Sequence, residues 1–372
     1  MKKLFSLVIA LTLTLGLVSL AGAEGETFEL ALITDIGTID DKSFNQGSWE
    51  GLEQYAVEHG LTYKYYQPAE QSDIAYLDSI QIAVDAGAKL VVTPGFLFEV
   101  PIFTAQQMYP DVYFVLVDGV PNDGDWGTGP EYLTADNAVG VLYAEEQSGF
   151  LAGYAAVKEG YTKLGFMGGM AVPAVVRFGH GFVQGADHAA QELGIDGIAI
   201  NYHYTGGFAA TPEAQAMAAS WYNDGVEVIF ACGGAVGNSV MTAAEAAGQW
   251  VIGVDVDQSA ESETVITSAM KGLQSSVYQA VDGFYTGGDA FPGGQNWVLS
   301  AAREGVSLPM ESSKFTVFTQ ADYDAIFAAL VDGAVVVNDD IGISADQLAS
   351  QSAIAGKIMS IFLKLSLAMP KK

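Results

Sequence analysis

From residue 28 onward, short apolar runs alternate with stretches whose apolar residues recur at helical spacing. Strand-like runs lie at 28–33, 61–66, 89–93, 112–117 and 131–134, and helix-patterned stretches at 44–59, 72–86 and 100–109 separate them. This alternation calls for a mostly parallel sheet, because parallel neighbours must be joined by a crossover, usually a helix. Gly60, Gly87 and Pro110 stand where the helices should stop. Residues 139–159 read as one long helix that leads into a second series. Strands are expected there at 163–167, 197–202, 226–232 and 249–254, with helices at 178–193, 211–223 and 238–247. A chain of 372 residues has room for two such units. The expectation is an α/β protein of two Rossmann-like lobes. The run 264–268 with helix 273–286 would cross back to the first lobe, and 296–302 with helix 320–331 would finish in the second.

The first residues carry a separate signal. Lys2 and Lys3 precede an apolar stretch from Leu4 to Leu20, and Ala21-Gly22-Ala23 forms a small-residue cleavage pattern. This is the layout of an export signal, so an exported, periplasmic or extracellular protein associated with the cell membrane is expected. A lipoprotein signal carries Cys at the place that Ala23 occupies, and without that thiol acylation there is excluded. The formal charge of −29, with 15 Lys and Arg, leaves no basic footprint for nucleic acid. The single cysteine, Cys232, lies in an apolar run, which excludes a disulfide framework.

Chemistry should gather at strand ends, because open α/β sheets place ligands outside the carboxyl ends of their strands. The loop from Thr34 to Trp49 follows the first strand and carries Asp35, Gly37, Asp40, Asp41, Ser43, Phe44 and Asn45. It fits either a ligand loop or a capped turn, since Asp, Ser and Asn also cap helices. Asp118 follows residues 112–117, and Phe230 with Gly233 and Gly234 closes residues 226–232. Asp255 and Asp257 follow 249–254, and Lys271 follows 264–268. Carboxylates at such ends can accept hydrogen bonds from paired hydroxyls, and an aromatic face can stack on a flat heterocycle. Asp118 and Asp255 could equally cap turns, and Phe230 could be core. Arg177 and Phe178 also stand near a strand end.

Other motifs are weaker. Gly233-Gly234-Ala235-Val236-Gly237-Asn238 lacks the Lys-Ser/Thr of a phosphate loop. His59, His180, His188 and His203 are not spaced as a metal set, so neither metal nor cofactor is expected. Besides a receptor for a small solute such as a sugar or signalling molecule, a nucleoside hydrolase stays open, with Asp35 and Asp41 as its acid–base candidates. At the far end, Ile354, Ile358, Ile361, Phe362 and Leu365 lie opposite Lys357, Ser360 and Lys364. They suggest an amphipathic helix over 353–372, packed on its own domain or, as the alternative, touching a membrane surface, and too short to span a bilayer.

The pattern Thr34-Asp35-x-Gly-x-x-Asp40-Asp41-Lys42-Ser43-Phe44-Asn45-Gln46-x-x-Trp49-Glu50-Gly51 resembles the signature of the BMP family, the purine-nucleoside-receptor type of ABC-importer substrate-binding protein. Further matches follow in order: Gly165-Phe166-x-Gly168-Gly169-Met170, Gly181-Phe182, Ala231-x-Gly233-Gly234-x-x-Gly237-Asn238, Gly253-Val254-Asp255-x-Asp257-Gln258, Thr267-Ser268-x-Met270-Lys271 and Pro292-Gly293-Gly294. The resemblance runs from about residue 28 to 341 and implies a type I periplasmic-binding-protein fold with a hinge of three crossovers and a ligand cleft between lobes. The implied division is a signal peptide at 1–23, lobe one at 27–136 plus 265–292, and lobe two at 137–264 plus 293–345. It further implies a nucleoside whose base lies between Phe44 and Phe230, with Asp35 and Asn45 at the base edge or bracing the loop. Asp255 and Lys271 would hold the ribose hydroxyls, and Asp118 and Gly234 would line the cleft. The expected partners are an ABC permease and its ATPase, met by a monomeric, non-enzymatic receptor that associates with the membrane through the permease or its own C-terminal segment.

Overall fold

The computed structural model describes residues 27–287, 290–350 and 358–360. Six strands form one sheet: β1 (Leu30–Ile33), β2 (Tyr63–Tyr66), β3 (Leu90–Pro94), β4 (Tyr113–Val117), β5 (Ala138–Tyr143) and β11 (Gln295–Leu299). Their order is β11-β5-β4-β3-β1-β2, and every pairing is parallel. Seven form the other: β6 (Lys163–Gly168), β7 (Ala199–Tyr204), β8 (Val228–Cys232), β9 (Trp250–Asp255), β10 (Val265–Lys271), β12 (Val306–Ser307) and β13 (Ile358–Ser360). They run β12-β10-β9-β8-β6-β7-β13, antiparallel only where β12 meets β10. The central strands are buried along their length, which is why they read as continuous apolar runs rather than alternating ones.

Helices cover these sheets: α1 (Phe44–His59), α2 (Asp73–Asp85) and α3 (Glu99–Met108) in the first unit, then α4 (Glu145–Glu159), α5 (Pro173–Leu193), α6 (Pro212–Asn223) and α7 (Val236–Ala247). After them come α8 (Leu273–Thr286), α9 (Gln320–Val331) and α10 (Ala345–Ser350). Local chemistry fixes several starts. Ser72 and Thr211 cap α2 and α6, and Thr319 with Asp322 forms a reciprocal capping box at α9. The α4 and α5 backbones approach closely through glycine. A Cβ on Gly149, Gly153, Gly181 or Gly185 would lie about 2 Å from a carbonyl oxygen of the facing helix.

Three details differ from the sequence expectation. Residues 131–134 are not a strand; Tyr132 makes an isolated bridge to Asn122 in a loop braced by the Asp123 carboxylate. The strand lies in β5, within the stretch read as the start of a long helix. Val139, Val141 and Tyr143 are β-formers, and α4 begins only at Glu145. The lobe boundaries also move, because β10 belongs to the second sheet and β11 to the first. Only α8 of the 265–292 stretch returns to lobe one, where it packs on α1 with Tyr55 against Tyr278 and Tyr285. The chain therefore crosses between lobes after β5, after β10 and after β11. Of the amphipathic helix expected at 353–372, only 358–360 are described, and they are a strand beside β7 rather than helix. The rest of that segment and the signal at 1–23 lie outside the described residues.

Candidate ligand cleft

The carboxyl ends of β1, β3, β4, β8, β9 and β10 open onto one cavity of about 410 Å³ between the lobes, within the range of small-molecule sites. Lobe one contributes the loop after β1. The Asp35 carboxylate accepts hydrogen bonds from the Gly37 amide at 2.9 Å and the Asn45 side chain at 3.3 Å. Burial raises its pKa despite those bonds. Gly95, at φ +119°, sits so close that a Cβ would fall 2.7 Å from Asp35 Oδ2, so only glycine serves there. Asp41 does the bracing. Its two oxygens accept from the amides of Ser43, Asn45 and Gln46 and from the Asn45 side chain at 2.9–3.1 Å, holding the start of α1. Phe44 is thereby presented to the cavity. Trp49 packs against Tyr63 and Tyr65 on β2.

The loop is also tied to lobe two. Ser43 donates to Asp255 Oδ2 at 2.5 Å, and Gln258 donates to the Lys42 carbonyl at 2.7 Å. Next to these lies a buried charge cluster. Lys271 Nζ is 2.5 Å from Asp118 Oδ2, 3.5 Å from Asp255 Oδ1 and 3.8 Å from Glu145 Oε1. Arg177 Nε takes the other oxygen of Glu145 at 2.6 Å. Asp118 and Asp255 both hold left-handed backbone, φ 60° and 67°, a strained state for a non-glycine residue that tends to mark functional sites. Burial works to lower the Lys271 pKa, but Asp118, Asp255 and Glu145 outweigh it and raise it. Burial, with repulsion from Glu145 and Asp255, pushes Asp118 up to about 7.

The ammonium lies over aromatic faces, 4.7 Å from the Phe44 ring centre and 5.4 Å from that of Phe178. Phe96 and Phe208 complete the aromatic lining. Asp118 Oδ1 and Asn45 Oδ1 are buried and have no hydrogen-bond partner among the described residues. Aromatic rings beside the carboxylates of Asp35, Asp118 and Asp255 line the cleft, so it suits a flat molecule that carries hydroxyl or N–H donors.

Seven of the eight sequence candidates converge here: Asp35, Phe44, Asn45, Asp118, Gly234, Asp255 and Lys271 all line the cavity. Phe230 does not. It is fully buried behind the cleft among Phe166, Phe178 and Phe182, because it stands at the centre of β8 and faces the helix layer instead of the strand end. Phe178, already noted with Arg177 near a strand end, and Phe208 stand at the lobe-two wall instead. Glu145 went unseen because its segment read as mid-helix, although it follows a strand end. Phe208 follows β7 and could have been found by the strand-end rule.

Two mainly parallel sheets, three crossings and a cavity where their strand ends meet define the two-lobed periplasmic-binding-protein type of fold. A solved solute-binding protein of an ABC transporter system from Aeropyrum pernix K1 has this fold, with a TM-score of 0.66 at 22% identity, covering 88% of this chain and 91% of its own. The family model for PnrA-like ABC transporter substrate-binding proteins matches residues 28–329, and the chain belongs to that family, Bmp. It is similar to the ABC transporter nucleoside-binding protein BmpA of Lactococcus lactis, 30% identical over 82% of this chain and 88% of that one. The CD4+ T-cell-stimulating antigen of Listeria innocua is 28% identical over 90% and 98%. The family consists of substrate-binding proteins rather than enzymes, and such proteins of ABC importers act outside the cytoplasm. Among the described residues no helix is long and apolar enough to cross a membrane.

Proposed function

We propose that this protein is the receptor of an ABC importer for nucleosides, purine nucleosides foremost, and hands its ligand to a membrane permease and ATPase. The observation that carries this reading is the division of the cleft. One part is lined by Phe44, Phe96, Phe178 and Phe208, and next to it Asp118, Asp255 and Lys271 meet. A flat base suits the rings, with Asp35 and Asn45 within reach of its N–H edge. Ribose hydroxyls suit the charged end, donating to Asp118 and Asp255 and accepting from Lys271. The contacts from Ser43 to Asp255 and from Gln258 to the Lys42 carbonyl join the lobes beside this site, as expected of a receptor that closes on its cargo. The nucleoside-binding name of the Lactococcus relative supports the same ligand class. Titration calorimetry against a panel of nucleosides, free bases and sugars tests it. Ribosides are expected to bind more tightly than free bases and sugars, and binding confined to sugars contradicts it. Incubation with inosine should release no hypoxanthine; steady release would make the protein a hydrolase.

A further inference from the structure

We propose that Glu145, backed by Arg177, is a positioning residue for the hydroxyl-binding end of the cleft and acts through Lys271. The inference rests on the nucleoside reading above. Glu145 opens α4 immediately after the crossing from β5, and it is fully buried. A buried carboxylate persists only with compensating positive charge. Arg177 supplies part of that charge at 2.6 Å on one oxygen, and the second oxygen faces Lys271 at 3.8 Å without a hydrogen bond among the described residues.

Lys271 is consequently shared by carboxylates on three different parts of the fold. Asp118 belongs to lobe one, Asp255 to lobe two, and Glu145 to the crossing itself. The pull of Glu145 helps set where the ammonium stands among them, 2.5 Å from Asp118 Oδ2 against 3.5 Å from Asp255 Oδ1. Asp118 Oδ1 is buried and has no hydrogen-bond partner among the described residues. The support behind Glu145 is stiff, because Gly149 and Gly153 of α4 lie against the backbone of Phe178 and Phe182 in α5. The charged groups around it are Asp118, Asp255, Lys271, Arg177 and the neighbouring Glu146. Its negative charge also helps hold Asp118 above the ordinary carboxylate range, second to burial.

The test uses Glu145→Gln and Arg177→Gln in the whole chain. Guanosine and 2′-deoxyguanosine are titrated by calorimetry, and the Asp118 carboxyl is titrated by carbon NMR in the ligand-free protein. Glu145→Gln should weaken guanosine about tenfold or more, narrow its preference over 2′-deoxyguanosine and lower the Asp118 midpoint. A merely structural residue would weaken both ligands alike and leave the midpoint in place. Arg177→Gln should narrow the same preference, and it decides the matter should Glu145→Gln fail to fold. A folded Glu145→Gln protein with parental ribose preference and an unmoved Asp118 midpoint overturns the proposal. If the parent binds no nucleoside, the nucleoside reading falls, while the NMR midpoint still decides whether Glu145 acts on the cluster.

Discussion

Lys271 and Asp118 stand 153 residues apart in the chain, yet the ammonium of one lies 2.5 Å from the carboxylate of the other. One ends a strand of the lobe-two sheet and the other follows a strand of the lobe-one sheet, so their ion pair joins the lobes inside the cavity. The cluster holds three carboxylates and two cations, Lys271 and Arg177. Its excess of negative charge sets the behaviour of both the free and the loaded protein.

Asp118→Asn keeps the shape and removes one of the crowded charges. Guanosine affinity should fall about tenfold or more, since hydrogen bonds to charged groups contribute about 1.5–3 kcal/mol. The thermal midpoint of the free protein near neutral pH should hold or rise, because repulsion with Asp255 and Glu145 is relieved and Lys271 keeps two partners. Loss of binding without loss of stability, followed by calorimetry and thermal unfolding, is the signature of a residue kept for its ligand.

Stability should depend on pH through the same group. Asp118 titrates at about 7 in the fold against 3.8 ordinarily, and Glu146 is also pushed up to about 7 by its burial. The folded state binds these protons more tightly than the unfolded chain does. Their contribution is therefore greatest at acid pH and is lost as pH rises from about 4 to about 7. Buried His180 and half-buried His203, whose pKa values are lowered by burial, oppose this on the acid side. The diagnostic is a difference: between about pH 6 and pH 8 the thermal midpoint of the parent should fall more than that of Asp118→Asn. Parallel curves would place the proton elsewhere.

The glycine contacts between α4 and α5 should be intolerant of any side chain. At Gly181 a Cβ would meet the Glu146 carbonyl oxygen at 1.9 Å, and backbone cannot swing aside as a flexible side chain can. Gly181→Ala should destabilise by ~1–3 kcal/mol or more through overpacking. It should also weaken ligand binding, because α4 carries Glu145 and α5 carries Arg177 and Phe178. Chemical denaturation reads the first effect and calorimetry the second.

Much of the site was legible in the sequence, because strand-end position is a property of local pattern. Asp35, Asp118, Asp255 and Lys271 each follow an apolar run, and a parallel sheet brings such ends to one edge. What escaped depends on contacts distant in the chain. Phe230 lies at the centre of β8, not at its end, and its ring packs against Phe178 and Phe182 on α5. Lobe membership of β10 and β11 was invisible for the same reason, since neither run states which sheet it will join. The split of 138–159 into β5 and α4 turned on Ala144, where apolar periodicity continues through a change of backbone state.

On the proposed function, one cavity holds a base among aromatic rings and ribose hydroxyls at a negatively charged end. Calorimetry of the whole chain with guanosine, guanine and guanosine 5′-monophosphate under one set of conditions addresses both ends together. Guanosine should bind most tightly, guanine more weakly for want of hydroxyl donors, and the monophosphate more weakly because its charge meets Asp118, Asp255 and Glu145. Guanine binding as tightly as guanosine, or the monophosphate binding more tightly, would contradict that assignment.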